Sequence, residues 1–212
     1  MIGHTKYGML ADWRRTVAEM YADVRQAPDG QEVQAWQAFR AARDELFRSH
    51  AVTPLNQAQQ KIFNEINYYP YNSAWRVIGQ LDSDVERETF EVQLGGDGLF
   101  RYTRVGRVQF MIENQAADLS VFWIEGYGGG IFLPFQDATS GKSTYGGGRY
   151  LYDSIKGADL GIDSNEMVLD FNYSYNPSCS YNELWICPLS PRENRLSLAV
   201  EAGEMMSEWI LS

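Results

Sequence analysis

The sequence predicts an α+β chain in which N-terminal helices precede an antiparallel β-meander. The meander closes into a barrel or a sandwich and carries long irregular loops. Three observations lead there. Apolar residues recur at three- and four-residue steps through the first 66 positions, then at every second position from Trp75 onward. Beyond Trp75 the apolar runs are short and separated by Gly- and Asn-containing turns, the pattern of hairpin-connected strands. The charge divides at the same place: residues 1–66 balance eight basic against eight acidic side chains, so the whole net charge of −10 lies in residues 67–212. The expected organisation is a helical arm, 1–66, packed on a β-domain, 67–212, that bears two long polar-aromatic loops.

Leu10, Trp13, Val17, Met20 and Val24 share one face of a first helix, which Ala27-Pro28-Asp29-Gly30 ends. Val33, Trp36, Phe39, Ala42, Leu46 and Phe47 mark a second. Thr53-Pro54 reads as the start of a third, with Thr53 as cap and Leu55, Ala58, Ile62 and Ile66 on its inner face. Alternation then takes over in Trp75, Val77 and Leu81, and again in Phe90, Val92 and Leu94. Gly95 to Gly98 turns the chain. Strands are expected over 99–105 and 107–113, with Gly106 turning between them, and over 119–125. After Glu125 the pattern fades into loops at 126–130, 137–148 and 170–194. Long loops in a compact domain are commonly functional or packed on themselves.

Composition excludes several classes. Six Trp, 13 Tyr and ten Phe carry too much apolar surface for a disordered chain. No run is long and apolar enough for a membrane helix. An acidic chain lacks the basic face that nucleic acid or an anionic membrane requires. Only four of the 18 basic residues are Lys, a balance suited to a salt-rich cytoplasm. Met1 to Lys6 lacks the apolar core of a signal peptide, so a cytoplasmic protein is expected. A homo-oligomer is compatible with all of this.

Gly141-Lys142-Ser143-Thr144 superficially resembles a phosphate loop. The motif needs Gly five positions before Gly141, where Gln136 stands, and a helix after it, which is missing. With only His4 and His50 present, a His-based metal site is excluded, and a general base would be a carboxylate. Asp137, Asp153, Asp170 and Glu193 lie in or beside the irregular loops. Cys179 and Cys187 lack the further ligands of a zinc site. They read as small buried side chains, or as a pair close enough to bridge on oxidation. Tyrosines cluster at 68–71, 145–152 and 173–181, which suits either a polar pocket or a wet packing interface.

Two stretches, IFLPFQDATSGKSTYGGGRYL at 131–151 and LDFNYSYNPSCSYNELWICPLSPRENRL at 169–196, resemble the signatures of a prokaryotic family known as domain of unknown function 1684. The segment from Ser49 to Val77 resembles its helix-to-strand entry. The resemblance implies a bacterial or archaeal, cytosolic protein and carries no activity with it. Among the residues it marks are Asp137, Thr144, Tyr145, Arg149 and Tyr150 in the first stretch. In the second are Asp170, Asn172, Tyr175, Glu193 and Asn194.

Arg149 follows three glycines and has few basic neighbours, so Asp137, Asp170 and Glu193 are its expected partners. The cluster is either a structural clasp tying both loops to the β-domain, or a polar pocket. In the pocket, Arg149, Tyr145, Thr144, Tyr150, Asn172, Tyr175 and Asn194 would bind a small polar or anionic ligand, and Asp137, Asp170 or Glu193 would act as a hydrolytic base. The functional expectation is a small-molecule-binding protein, with hydrolysis as the chemistry such a pocket would support. The alternative is a non-catalytic interaction module using the helical arm. No metal is implied, and whether the protein takes a cofactor or is an enzyme is left open.

Overall fold

A computed structural model describes residues 5–93 and 98–207. His4 and the rest of the N-terminal Met1–Lys6 reading before Thr5, Leu94, and the turn residues Gly95 to Asp97 lie outside the described residues. Helix α1 (Lys6–Arg25) begins at Thr5, whose side chain accepts from the Gly8 amide at 3.1 Å. Helix α2 spans Glu32–Ser49. A short α3 (Gln57–Ile62) is capped not by Thr53 but by Asn56, in a capping box with Gln59. Thr53 instead donates its hydroxyl to the Phe47 carbonyl at 2.8 Å. Ile62 and Ala58 consequently face solvent, and Ile66 reaches the interior from extended chain beyond the helix. No helix among the described residues is long and apolar enough to cross a membrane.

The strands are β1 (Arg76–Asp82), β2 (Thr89–Gln93), β3 (Leu99–Ile112), β4 (Gln115–Ile124), β5 (Gly130–Phe135), β6 (Arg149–Asp153), β7 (Ile162–Asp163) and β8 (Glu166–Asp170). They form one antiparallel sheet in the order β6-β5-β4-β3-β1-β8-β7, with β2 also paired to β3. The α+β expectation, N-terminal helices followed by an antiparallel sheet, therefore holds. The sheet curls into a half-barrel. Its two ends approach through the Tyr152 hydroxyl on β6, whose single proton lies within reach of two carbonyls, Val168 on β8 at 2.6 Å and Gly161 at 2.9 Å. The backbone edge of β6 is occupied by Tyr175, which exchanges both hydrogen bonds with Tyr150, so no ladder closes there.

Strand β3 corrects the expected turn at Gly106. The 14-residue strand runs straight through it, with a bulge in its pairing to β4 between Arg104 and Gly106. The bulge changes which face the even-numbered residues occupy. Val108, Phe110 and Ile112 join the main core, whereas Tyr102 joins Phe122, Ile124, Phe132 and Tyr150 in a second cluster on the opposite face. The length of β3 also breaks the simple meander, because β2 pairs along its residues 99–103 and β1 along 107–109 on the same edge.

The helices cover the main core. Val17, Met20 and Tyr21 of α1 and Trp36, Phe39 and Leu46 of α2 are buried against Phe171, Tyr173 and the sheet. At the centre of this interface α2 places a buried charge, Arg43, which donates through Nε to Glu204 Oε1 at 2.5 Å. Glu204 is fully buried and also accepts from the Tyr68 hydroxyl at 3.0 Å, the Asn176 amide at 2.7 Å and the Tyr181 hydroxyl. One carboxylate thus ties α2, the chain before β1, the 174–181 loop and the C-terminal segment. Removing it leaves a buried guanidinium unpaired. Glu204→Ala should lower the unfolding free energy by about 3–5 kcal/mol, measured by urea denaturation. A loss no larger than that of an exposed Glu→Ala change would contradict the network.

Candidate functional site

The loop after β5 and strand β6 build the Arg149 cluster. Gly148 has φ +94°, and a Cβ there would stand 2.5 Å from the Phe135 carbonyl, so only glycine lets the chain enter β6 this closely. Arg149 is then driven inward until it is 1% exposed. Its Nη2 donates to Asp137 Oδ2 at 2.8 Å and to the Val200 carbonyl at 2.9 Å. Its Nη1 donates to the carbonyls of Ala202 and, at 3.3 Å, Glu204. The guanidinium carbon lies 5.1 Å from the centroid of the Phe135 ring. Asp137 Oδ1 accepts from the amide and hydroxyl of Thr139, and the Thr139 hydroxyl meets that of Thr144 at 2.8 Å. Every one of these groups is enclosed by protein. The geometry is a clasp that fastens the C-terminal segment to the sheet edge, with Arg149 Nε buried and without a hydrogen bond.

The other expected partners of Arg149 lie elsewhere. Asp170, at the end of β8, faces Arg76 at 3.7 Å and accepts from the Asn172 amide and side chain. Burial raises its carboxyl to about 6, with the Asn172 hydrogen bonds and Arg76 opposing the rise. Glu193 is held by Arg104 of β3 in a two-pronged pair at 2.9 and 2.5 Å. Burial acts to raise its carboxyl, but hydrogen bonds from Arg104 and Ser120 hold it below its ordinary value.

Asn172 and Asn194 act as substitute strand residues. Asn172 accepts from the Asn72 amide and donates to the Asn72 carbonyl. Asn194 does the same to Ser120 and donates again to the Pro134 carbonyl. Five of the expected ligand contacts, Arg149, Thr144, Asn172, Asn194 and Tyr145, are thus engaged within the fold. Tyr145 lies 3.7 Å through its hydroxyl from Cys179 Sγ. For Arg149, Asn172 and Asn194 the physical reason is the same: long loops expose many backbone polar groups, and buried side chains must satisfy them.

A cavity of about 300 Å³ lies instead between the start of α1, the second apolar cluster and the 177–188 loop. Leu10 and Trp13 of α1 and Val52 and Pro54 form one wall, and Phe100, Ile124 and Phe132 of the sheet form another. Trp185, Ile186 and Pro188 close it from the loop. Its polar end holds Asp153, Lys156 and Cys187. Asp153 is 3% exposed, with Oδ2 3.3 Å from the half-exposed Lys156 ammonium and Oδ1 buried without a hydrogen-bond partner. Coulombic attraction to Asp153 raises the Lys156 ammonium above its ordinary value, against burial. An adjoining recess of about 50 Å³ shares Trp13, Pro54, Lys156 and Ser178 and reaches Tyr150, Tyr175 and Arg43. Of the ten expected site residues, Tyr150 and Tyr175 alone border this space. Sequence reading named Asp153 as a carboxylate of interest, but it had no signal for Trp13 or Trp185, which come from opposite ends of the chain.

Among the described residues no group of three or more His, Cys, Asp or Glu side chains is arranged to hold a metal ion. The sequence model of the family described as "Protein of unknown function (DUF1684)" matches residues 61–205. No curated protein matches the chain. Among solved structures, the chain is similar to an uncharacterised protein of Haloarcula marismortui determined by NMR in solution. That protein is 30% identical with a TM-score of 0.58, and the match covers 81% of this chain and 92% of that one.

Two outcomes test the assignment of the polar residues. Arg149→Lys loses the fork that holds Asp137 and the C-terminal carbonyls, and should cost about 2–3 kcal/mol of stability in chemical denaturation. For Asp170, the folded state binds a proton more tightly than the unfolded chain does, because its value rises from 3.8 to about 6. Its contribution to stability is present in full below the lower value and is lost as pH rises through the upper one. Asp170→Asn should therefore flatten the melting temperature between about pH 4 and 6, and an unchanged pH profile would contradict the shift.

Proposed function

The chain belongs to the DUF1684 family, and because that membership carries no activity, we propose from the cavity itself that the protein binds a small amphipathic molecule. Its apolar body would occupy the space between Trp13, Ile124, Phe132 and Ile186. Its polar head would meet Asp153 and Lys156. The observation that carries this reading is the largely apolar lining of the cavity with one ion pair in it, Asp153 with Lys156 at 3.3 Å. The apolar walls would take the body of the molecule, and a hydroxyl or amide head would give an acceptor to the Lys156 ammonium. The volume lies at the lower end of the range of ligand pockets, which favours a compact molecule.

This reading keeps the expectation of a small-molecule binder and moves its place. It also changes the ligand from polar or anionic to largely apolar with one polar end. Hydrolysis by Asp137, Asp170 or Glu193 gains no support, since none of the three borders the cavity. The interaction-module alternative gains none either, since the helical arm spends its apolar face on the core and on the cavity wall.

Thermal shift with a panel of medium-chain alcohols, amides and carboxylic acids provides the test. A ligand at 100 times its dissociation constant adds about 2.7 kcal/mol, or about 5–10 °C for a chain of this size. Val52→Trp, which fills the cavity from a partly exposed wall, should remove that shift while preserving the melting temperature of the free protein. A panel that shifts neither protein, or both alike, would count against the cavity as a binding site.

A further inference from the structure

The two cysteines stand where the fold makes them unequal. Cys179 lies in a single 3-10 turn, Ser178–Ser180, and Cys187 in the loop that returns past it. Both are free thiols and both are partly exposed, not fully buried as small apolar side chains would be. The Cys179 amide donates to Cys187 Sγ at 3.4 Å. Cys187 borders the polar end of the cavity beside Lys156, whereas Cys179 is turned toward the Tyr145 hydroxyl.

We propose that Cys187 and Cys179 are a dithiol couple that reduces small organic disulfides by thiol–disulfide exchange, with Cys187 as the attacking sulfur and Cys179 as the resolving one. The Cys187 thiolate attacks one sulfur of the disulfide. A bond forms from Cys187 to that half, the disulfide bond breaks, and the other half leaves as a thiolate. That thiolate takes the proton of Cys179. The Cys179 thiolate then attacks Cys187 Sγ, closes the protein disulfide and releases the second half as a thiolate, which takes from solvent the proton that Cys187 gave up on ionising. Two protein thiols are oxidised, and one organic disulfide is reduced to two thiols.

The surroundings assign the roles. A thiolate at Cys187 is met by the Cys179 amide and by the Lys156 cation, groups that favour negative charge on the attacking sulfur. A hydrogen bond from Cys179 first of all, then Lys156 and the Ser178 and Cys179 backbone, hold the Cys187 thiol down at about 6 against burial. The same hydrogen bond pushes the Cys179 thiol up, with burial adding to it. A sulfur that keeps its proton until a base arrives suits the resolving role. Exchange at Cys187 does not depend on the cavity holding the amphipathic ligand proposed above, so either reading can fail without the other.

The experiment follows the folded protein by intact mass during incubation with hydroxyethyl disulfide, with circular dichroism before and after. The wild-type chain should lose the mass of two hydrogens and remain folded. Cys179→Ser should stop with one mixed disulfide, mapped by peptide analysis to Cys187. Cys187→Ser should react at least about tenfold more slowly. Mixed disulfides accumulating on both sulfurs of the wild-type chain, a Cys179→Ser protein that stays unmodified, equal rates in the two variants, or bridging only in denaturant would each overturn the proposal.

Discussion

The C-terminal segment from Val200 to Glu204 is gripped from two sides, and the rest of the architecture depends on that grip. From the sheet edge, Arg149 reaches three of its carbonyls. From the helical layer, Arg43 reaches the Glu204 side chain. The segment is therefore a seam between two buried guanidinium groups, one spent mainly on backbone oxygens and the other on a carboxylate. Burying two such cations is costly, and what offsets the cost is the set of acceptors on the Arg149 terminal nitrogens and on Arg43 Nε, although Arg149 Nε itself is buried without a hydrogen bond. Gly203 completes the seam, because with φ +76° a Cβ there would lie 2.1 Å from Ser174 Oγ.

That seam explains why the long loops are ordered without regular structure. The 137–148 loop is anchored through Asp137, the 170–181 loop through Asn172, Asn176 and Tyr181, and the 190–196 segment through Asn194. Each anchor is a buried polar group whose partner lies on another segment, a backbone partner for Asn172 and Asn194 and a charged side chain for the others. The cavity survives beside this dense network because its walls come from elements that the network does not bind together directly: the first turns of α1, the second apolar cluster and the 182–188 stretch. Trp185 and Ile186 remain exposed at that rim, consistent with a wall that packs less tightly than the seam.

The fold class was legible because periodicity is a local signal. The change from three- and four-residue steps to alternation located the helical region and the strands before residue 125, but gave no sign of β6, β7 or β8, and Val17, Trp36, Val108 and Phe110 are core residues as their spacing implies. Capping was legible only in part: Thr53-Pro54 has the composition of a helix start, but Asn56 and Gln59 together satisfy more orphan amides and take the role. The resemblance found in the two loop stretches agreed with the family match. It marked Arg149, Asp137, Asn172 and Asn194, which are buried and hydrogen-bonded, and did not distinguish holding a loop from holding a ligand. A buried polar residue in a loop has the same composition in either case.

By itself the sequence determined what each segment prefers: helix before residue 66, alternating strand after it, an acidic β-region, and a family. Those follow from side-chain periodicity and composition, which act over a few residues and survive any tertiary arrangement. Only the tertiary structure decided which carboxylate Arg149 meets, that Arg43 and Glu204 pair across 161 positions, and that the bulge at Arg104 and Gly106 sends Tyr102 and Val108 to opposite faces. It alone decided that Trp13, Phe132 and Trp185 enclose one cavity. Ion pairing and cavity shape depend on distances between residues far apart in the chain, and those distances are set by how the sheet curls and where the C-terminal seam closes.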